Sequence, residues 1–207
     1  MKIKKYGINM WMENMFLFWD EETKIGAVID PGYPTKEFFE FVDKEGIKID
    51  KILLTHGHSD HIEGIPAVRE HCGKPPIYIS KLEENYLTDP RFNLSYMSPP
   101  PVVVDPADVL LEMDEVIEVG NIKLKVAHSP GHSPGGVLYI GDGFIFAGDT
   151  IFKASIGRTD FPGGNPSDMM KSLDQIMTFP DETVLYVGHG EDTTVGFERV
   201  HNPYVRR

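Results

Sequence analysis

The sequence predicts one α/β domain, in which short apolar strands alternate with amphipathic helices. Runs of β-branched and aromatic residues, bounded by turn-forming residues, indicate the strands. Segments with apolar residues three or four positions apart indicate the helices. The chain has 207 residues, 41% hydrophobic and 25% charged, so it can bury a sizeable core without cross-links. No repeat, low-complexity tract or linker divides it.

The predicted strands follow one another along the whole chain. In order they are MFLFW, KIGAVID, KILLT, PIYIS, VIEV, IKLKVAH, GVLYIG, GFIFAG and TVLYVG. Many of them end in Gly, Asp or Thr, which favour turns or carry polar groups. Large apolar residues alternate around the first strand and are interpreted as core. They are Trp11, Met15, Leu17 and Trp19.

Three helices are predicted, over Lys36 to Glu45, over Ile62 to Cys72, and after Asn165. Asn165 can cap the third helix, and Pro166 suits its first position because proline has no N–H to satisfy there. An apolar stripe on this helix indicates core packing rather than a binding surface. Its members are Met169, Met170, Leu173, Ile176 and Met177.

Residues 81–104 are predicted to be irregular, because three consecutive prolines near their end interrupt both helix and sheet. Two interpretations stay open for this stretch. It is either a surface insertion or a lid over the functional site.

Composition and charge exclude several classes of protein. The net charge of −12 disfavours binding to nucleic acid or to an anionic membrane. Glu13 and Asn14 interrupt the N-terminal apolar run, no cleavage site follows, and no segment reaches the ~20 apolar residues of a membrane span. The single cysteine, Cys72, allows no intramolecular disulfide and fits a reducing compartment. We therefore expect a cytoplasmic protein without a nucleic-acid or membrane partner.

The stretch LLTHGHSDHIEG carries an unusual density of metal-ligating side chains. Three of the eight histidines and one aspartate fall within six positions, directly after the apolar strand KILL. A rigid sheet commonly positions functional residues in such loops. The spacing differs from the helical pair of histidines four residues apart, so we expect a loop site. The residues are His56, His58, Asp60 and His61.

The same kind of position recurs three times later in the chain. His132 lies in the turn HSPGHSPGG, Asp149 follows the strand FIFAG, and His189 follows VLYVG. The full set of five histidines and two aspartates suits Zn, Fe or Mn better than Ca or Mg. Seven ligands exceed the needs of one tetrahedral zinc, whereas two metals that share one carboxylate would use all seven. The residues therefore predict metal-assisted hydrolysis.

Asp30 of VIDPG also follows a strand. Two interpretations are open for it. It either fixes a ligand imidazole through a hydrogen bond or only forms the turn with the Pro-Gly that follows.

The motifs THGHSDH, PGHSPGG, FAGDT and VGHG, in this order, resemble those of the metallo-β-lactamase fold superfamily. The resemblance covers nearly the whole chain and implies a four-layered αββα sandwich with two metals at one edge of its sheets. It assigns His56, His58 and His132 to the first metal. It assigns Asp60, His61 and His189 to the second metal, with Asp149 bridging the two. Zn is the first expectation for both metals, and Fe or Mn are the alternatives.

Within this superfamily the chain is most similar to glyoxalase II, and IFKASIGRTDFPGGN resembles the short bacterial group. The chain ends 18 residues after His189, so we expect residues 1–207 to form one domain that lacks the C-terminal helical domain of full-length glyoxalase II. The expected substrate is a small thioester such as an S-acylglutathione. Lys153 and Arg158 are the candidates for binding a substrate carboxylate.

The expected reaction is attack of a metal-bridging hydroxide on the thioester carbonyl. Asp60, His61 and Asp149 are the expected catalytic residues, and Asp60 can also orient the hydroxide. Because His61 differs from the residue at this position in the β-lactamase branch, penicillins are not expected as substrates.

Other activities within the resemblance stay open. A persulfide dioxygenase holds a single iron by two histidines and one aspartate, and a lactonase shares the metal motif. A metal-binding protein without catalysis is disfavoured by the complete ligand set, and a nuclease by the acidic charge.

Overall fold

The first half of the chain forms a six-stranded mixed sheet in the computed structural model, which describes residues 1–7 and 12–205. Its strands pair in sequence order, antiparallel across the first three and parallel from the third to the sixth. They are Lys2–Gly7 (β1), Asn14–Trp19 (β2), Ile25–Ile29 (β3), Lys48–Leu53 (β4), Ile77–Ser80 (β5) and Val109–Leu111 (β6).

The second half adds eight strands, two of which pair only with each other as a short hairpin. The strands are Val116–Val119 (β7), Ile122–His128 (β8), Val137–Gly141 (β9), Phe144–Gly148 (β10), Ile151–Phe152 (β11), Ser155–Ile156 (β12), Val184–Val187 (β13) and Thr193–Thr194 (β14). The hairpin is β11–β12, and the other six form a second sheet in the order β14-β13-β10-β9-β8-β7. All strands predicted from the sequence are therefore present.

Five α-helices in the described part of the chain cover the outer faces of the two sheets. They are Lys36–Glu45 (α1), Ser59–Ile62 (α2), Ile65–His71 (α3), Pro166–Ile176 (α4) and Val195–His201 (α5). Three clusters of buried residues fill the spaces between layers: α1 and α3 against the first sheet, the first sheet against the second, and α4 and α5 against the second sheet. The predicted αββα order of layers is confirmed.

Strand β2 shows how sequence alternation builds these layers. Met15 and Leu17 point towards the helices, while Phe16 and Phe18 point into the space between the sheets. All four are at most 2% exposed, so a run that is apolar on both faces is buried on both faces. Of the residues predicted as core around β2, Trp11 lies outside the described residues.

Helices α1 and α4 begin and end where local chemistry dictates. The Thr35 side chain accepts a hydrogen bond from Phe38 N, and Gly46 takes the left-handed conformation that ends α1. Asn165 caps α4 in the same way, with Pro166 in the first turn. The apolar stripe of α4 packs in the outer core against the second sheet, as predicted.

The predicted helix over 62–72 is wrong in its extent. The chain makes a short helix, α2, that begins at Ser59, and a new helix, α3, that begins at Ile65. A Cβ on Gly64 would lie 2.1 Å from Pro34 Cδ, so this point of the chain is pressed against the 31–34 turn. Pro66 then fits the first turn of the new helix, where its missing N–H costs nothing.

Residues 81–104 are less irregular than the prolines suggest, because Lys81–Tyr86 forms a 3-10 helix. The segment packs beside the turn after β4, where Ser59 N donates a hydrogen bond to Asn93 O at 2.9 Å. Within residues 1–7 and 12–205, no helix combines the length and the hydropathy that crossing a bilayer requires.

Candidate metal centre

The two sheets meet at one edge through backbone hydrogen bonds. Val137 N, at the start of β9, donates to Thr55 O at 2.9 Å, and Asn14 N, at the start of β2, donates to Gly188 O at 2.8 Å. Within the second sheet, Gly188 N donates to Gly148 O at 2.8 Å. These contacts bring the ends of β4, β10 and β13 and the turn before β9 together. All seven side chains predicted as metal ligands lie in these four places.

The first group of ligands joins the β4 turn to the turn between β8 and β9. His56, His58 and His132 are each at most 6% exposed, and their ligand atoms lie within 4.8 Å of one another. Nδ1 of His58 is 2.9 Å from Nε2 of His132. We call these three residues the first triad. The structure thus brings together the set that the resemblance assigned to the first metal.

The second group of ligands joins α2 to the turn after β13. Asp60, His61 and His189 again offer ligand atoms within 4.8 Å of one another, and we call them the second triad. Nε2 of His189 lies 3.3 Å from Nε2 of His61 and 3.4 Å from Oδ2 of Asp60. Asp60 and His61 belong to the helical turn of α2, so this part of the site is helical rather than the expected loop.

Asp149, directly after β10, lies between the two triads. Its Oδ2 is 3.3 Å from Nε2 of His132 and 3.4 Å from Nε2 of His189. Its Oδ1 is 3.5 Å from Nε2 of His61. One carboxylate therefore faces ligands of both triads, as a bridging ligand must.

Unsatisfied polar atoms in this region fit a cation centre. Nε2 of His56, Nε2 of His58 and Oδ1 of Asp149 are buried without a hydrogen-bond partner. An unpaired buried polar atom is costly, and neutral imidazole together with carboxylate is the ligand set of Zn, Fe or Mn. The chain thus has divalent-metal clusters, with the kind of metal left open among these three.

Burial keeps two imidazoles of the first triad in the neutral form that binds metal. Burial lowers the pKa of His58 to about 3, and the nearby imidazole of His132 contributes to the shift. Burial, and then the imidazoles of His61 and His58, hold the pKa of His56 well below its ordinary range. Both imidazoles are therefore neutral at neutral pH, the form that binds metals.

The second triad holds protons when no metal is present. Burial by itself lowers the pKa of His61, but the carboxylates of Asp60 and Asp149 raise it to about 10. Burial likewise opposes the shift at His189, where hydrogen bonds to Asp149 and Asp60 raise the pKa to about 11. A metal that enters the second triad must displace these protons.

Hydrogen bonds behind the ligands fix the orientation of their rings. Asp30 Oδ2 lies 3.1 Å from Nδ1 of His61, and the same carboxylate accepts from Thr55 N at 2.7 Å and from Thr55 Oγ1 at 2.5 Å. Nδ1 of His132 is 2.8 Å from the carbonyl oxygen of Arg158. Of the two interpretations of Asp30, the structure supports the hydrogen bond to a ligand imidazole.

Replacement of Asp30 by Asn should weaken metal binding at the second triad. Asn replaces one acceptor oxygen by an NH₂ donor, and it tolerates the left-handed backbone found at Asp30 (φ 46°). We expect the metal affinity of the second triad to fall about 10–100-fold, the usual effect of losing a partner behind a ligand. Competition against a chelator of known affinity measures this. Unchanged affinity would contradict the role of Asp30.

Lys153 and Arg158, the predicted substrate contacts, lie near the site with their charges paired. The Lys153 ammonium forms an ion pair with Glu191. The Arg158 guanidinium donates two hydrogen bonds to Asp160, each at 2.7 Å, and its Cζ lies 4.1 Å from the centre of the Phe161 ring. Both side chains are on the surface, and their contact with substrate stays a prediction.

Other residues at the site were not found from the sequence. The Phe161 ring centre lies 5.6 Å from that of His58 and 5.9 Å from that of His132. Asn14, at the start of β2, donates from Nδ2 to Val187 O at 2.8 Å and to Gly190 O at 2.9 Å, on both sides of His189. Thr55 could have been noticed because it directly precedes His56, and Phe161 lies within IFKASIGRTDFPGGN, which was used only for the family resemblance. The sequence around Asn14 has no comparable signal.

Comparison with known proteins agrees with this geometry. A protein-family model described as the metallo-beta-lactamase superfamily matches residues 8–189. The chain is 36% identical over 194 residues to "Probable metallo-hydrolase YqgX" of Bacillus subtilis (strain 168), covering 92% of this chain and 90% of the relative. It is 29% identical to "Hydroxyacylglutathione hydrolase GloC" of Haemophilus influenzae, covering 99% of this chain and 98% of the relative.

Solved structures of related proteins are similar to this chain over nearly its whole length. The BLEG-1 B3 metallo-beta-lactamase superposes with a TM-score of 0.93 at 33% identity over 100% of both chains. TTHA1623 in a di-iron-bound form gives a TM-score of 0.83 at 29% identity, covering 97% of this chain and 99% of that one. ETHE1 from Myxococcus xanthus gives 0.80 at 26% identity, covering 98% and 84%.

Proposed function

The chain belongs to the metallo-β-lactamase superfamily, and from that premise we propose that it is a binuclear thioesterase that hydrolyses a small S-acyl thiol such as an S-acylglutathione. That it is a metal-dependent hydrolase follows from the family. The thioester is the proposal, supported by the resemblance of the chain to glyoxalase II and by its similarity to GloC.

The observation that carries the binuclear site is the position of Asp149. Its carboxylate faces His132 of the first triad and His61 and His189 of the second triad at 3.3–3.5 Å. A site for one metal would not need a carboxylate between two complete triads. When bound, two divalent ions in such a site activate water as a nucleophile and polarise the carbonyl oxygen of the substrate.

The protein side chains supply position and polarity for this chemistry. Asp60 is the ligand carboxylate with the more accessible side chain, 23% exposed against 8% for Asp149, so it can accept a hydrogen bond from the attacking water. Phe161 forms an apolar wall beside His58 and His132, against which an acyl or thiol group can pack. The thiolate is a good leaving group, so no strong protein acid is required.

Zinc is the proposed metal, with iron or manganese as alternatives. We further propose a cytoplasmic location, in keeping with the single cysteine, and no nucleic-acid partner, in keeping with the net charge of −12.

Two other activities are supported by specific likenesses. The similarity to ETHE1 is compatible with an iron-dependent oxidoreductase of the persulfide dioxygenase type, and the similarity to TTHA1623 in a di-iron-bound form is compatible with iron as the metal. The likeness to BLEG-1 weakens the expectation, drawn from His61, that penicillins are not substrates. Lactones remain a further substrate class of the same chemistry.

Hydrolysis of S-D-lactoylglutathione by purified protein loaded with zinc, manganese or iron tests the proposal. We expect turnover that requires metal, disappears in His56→Ala and persists in His71→Ala, because His71 is an exposed histidine that pairs with Asp43 away from the site. Two bound metals per chain should be found by elemental analysis. The same preparations are assayed with a penicillin, with a lactone, and for oxygen consumption with glutathione persulfide.

Each result decides between the alternatives. If the protein hydrolyses only the penicillin or only the lactone, the thioester is not its substrate, but it is still a hydrolase. If the protein consumes oxygen and binds one iron, the proposal of a thioesterase fails and that of a persulfide dioxygenase is supported.

A further inference from the structure

Glu83 is a fully buried carboxylate that neither triad uses as a ligand. It lies in the 3-10 helix Lys81–Tyr86, where its backbone (φ −121°, ψ 19°) departs from helical values. Its relative exposure is 0%. Burial of an ionisable group is unfavourable unless hydrogen bonds within the protein replace those it made with water.

Those partners are the backbones of the two loops that carry the first triad. Oε2 of Glu83 accepts a hydrogen bond from Gly57 N at 2.7 Å, and Oε1 accepts one from Gly135 N at 2.8 Å. Gly57 stands between His56 and His58, and Gly135 lies three residues after His132. One carboxylate thus joins a loop of the first sheet to a loop of the second sheet.

The packing around Glu83 depends on both glycines. A Cβ on Gly135 would lie 2.7 Å from Cγ of Glu83, and a Cβ on Gly57 would lie 2.4 Å from Cβ of Tyr86. The 3-10 helix therefore touches both loop backbones directly. The segment 81–104 supports the metal loops through this contact, which neither earlier interpretation, surface insertion or lid, had anticipated.

We propose that Glu83 is a positioning residue that holds the loops of His58 and His132 at the separation required by the first triad. The inference rests on the proposed metal centre. The second triad has separate support, because Asp30 bonds to His61 and Asn14 bonds on both sides of His189. Loss of the Glu83 contacts should therefore affect one metal more than the other.

Glu83→Gln tests this with almost no change in volume. Gln offers one acceptor oxygen and one NH₂ donor, so either Gly57 N or Gly135 N would face a donor instead of an acceptor. Glu84→Gln is the matched control, because Glu84 is the exposed neighbour. Each substitution is made in the full-length protein, alone and combined with His189→Ala or His58→Ala, which leave the first or the second triad complete.

Zinc affinity is measured for every variant by competition with a chelator, without any substrate. We expect Glu83→Gln to weaken zinc binding to the first triad about 10–100-fold and to change binding to the second triad less than about threefold. The absorption bands of bound Co²⁺ report the geometry of each triad independently, and we expect changes only for the first. Glu83→Asp, which keeps two acceptor oxygens on a shorter side chain, should restore part of the affinity.

Equal loss at both triads would show that Glu83 has only a general structural role and would overturn the inference, as would no loss at either. If the wild-type protein and Glu83→Gln both bind two zinc ions with equal affinity, the inference about Glu83 fails and the proposed function stands. Wild-type protein that binds none would overturn both.

Discussion

Asp149→Asn should abolish the activity, with a fall in kcat/KM of roughly a thousandfold or more. Asn removes a negative charge from a position that faces His132, His61 and His189. Stabilisation of transition-state charge by metal is worth several kcal/mol, and each ~1.4 kcal/mol corresponds to a factor of ten in rate. The kcat/KM values are compared with the substrate that the wild-type protein hydrolyses in the assays above. Elemental analysis should show fewer than two metals per chain at equal metal concentration.

Asp142→Asn provides the matched control for this prediction. Asp142 is exposed in the turn between β9 and β10, at the opposite end of the strand that positions Asp149. It should retain wild-type activity and metal content. If Asp149→Asn kept two metals and most of its activity, the carboxylate would not bridge the triads, and the binuclear interpretation would fail.

Removal of metal should lower the melting temperature by roughly 8–16 °C. A ligand at about 1,000 times its Kd stabilises the folded state by about 4 kcal/mol, and in a chain of this size each kcal/mol corresponds to about 2–4 °C. Calorimetry of the metal-free protein, with and without added zinc, measures the shift. His56→Ala in combination with His189→Ala should show a much smaller shift, because each triad then lacks one ligand.

The difference in melting temperature between the metal-free and metal-loaded proteins should increase as the pH rises. The pKa values of about 10 for His61 and about 11 for His189 exceed the ordinary value of 6.5, so the folded metal-free protein binds these protons more tightly than the unfolded chain does. Their stabilising contribution is complete below pH 6.5 and is lost as the pH rises through the folded-state pKa values. Melting temperatures at about pH 7 and about pH 9 test this. A smaller difference in melting temperature at about pH 9 than at about pH 7 would contradict this prediction.

Local patterns in the sequence were enough for most of the fold. Apolar spacing predicted α1 over Lys36 to Glu45. Asn165, whose side chain acts on the backbone two or three residues away, predicted the start of α4. The true extent of the helix over 62–72 could not be predicted, because the break at Gly64 arises from contact with the 31–34 turn. Apolar periodicity predicts that a residue is buried, and it contains no information about which distant segment presses against it.

The candidate site divides in the same way. The candidate ligands were evident because histidine and aspartate recur directly after apolar strands, and their spacing within THGHSDH is local. The bridging position of Asp149 was implied only by the family resemblance, and its distances to His132 and His189 depend on how the chain packs in three dimensions.

The sequence by itself therefore determined the candidate ligands and the family, since these depend on residue type and short-range spacing, and the order of the layers followed from the family resemblance. Only the tertiary structure decided which side chains support the ligands. Glu83 binds backbone N–H groups 26 and 52 residues away, and Asn14 binds carbonyl groups 173 and 176 residues away. Backbone N–H and C=O groups are present at nearly every residue, so a side chain that binds them leaves no distinctive partner in the sequence.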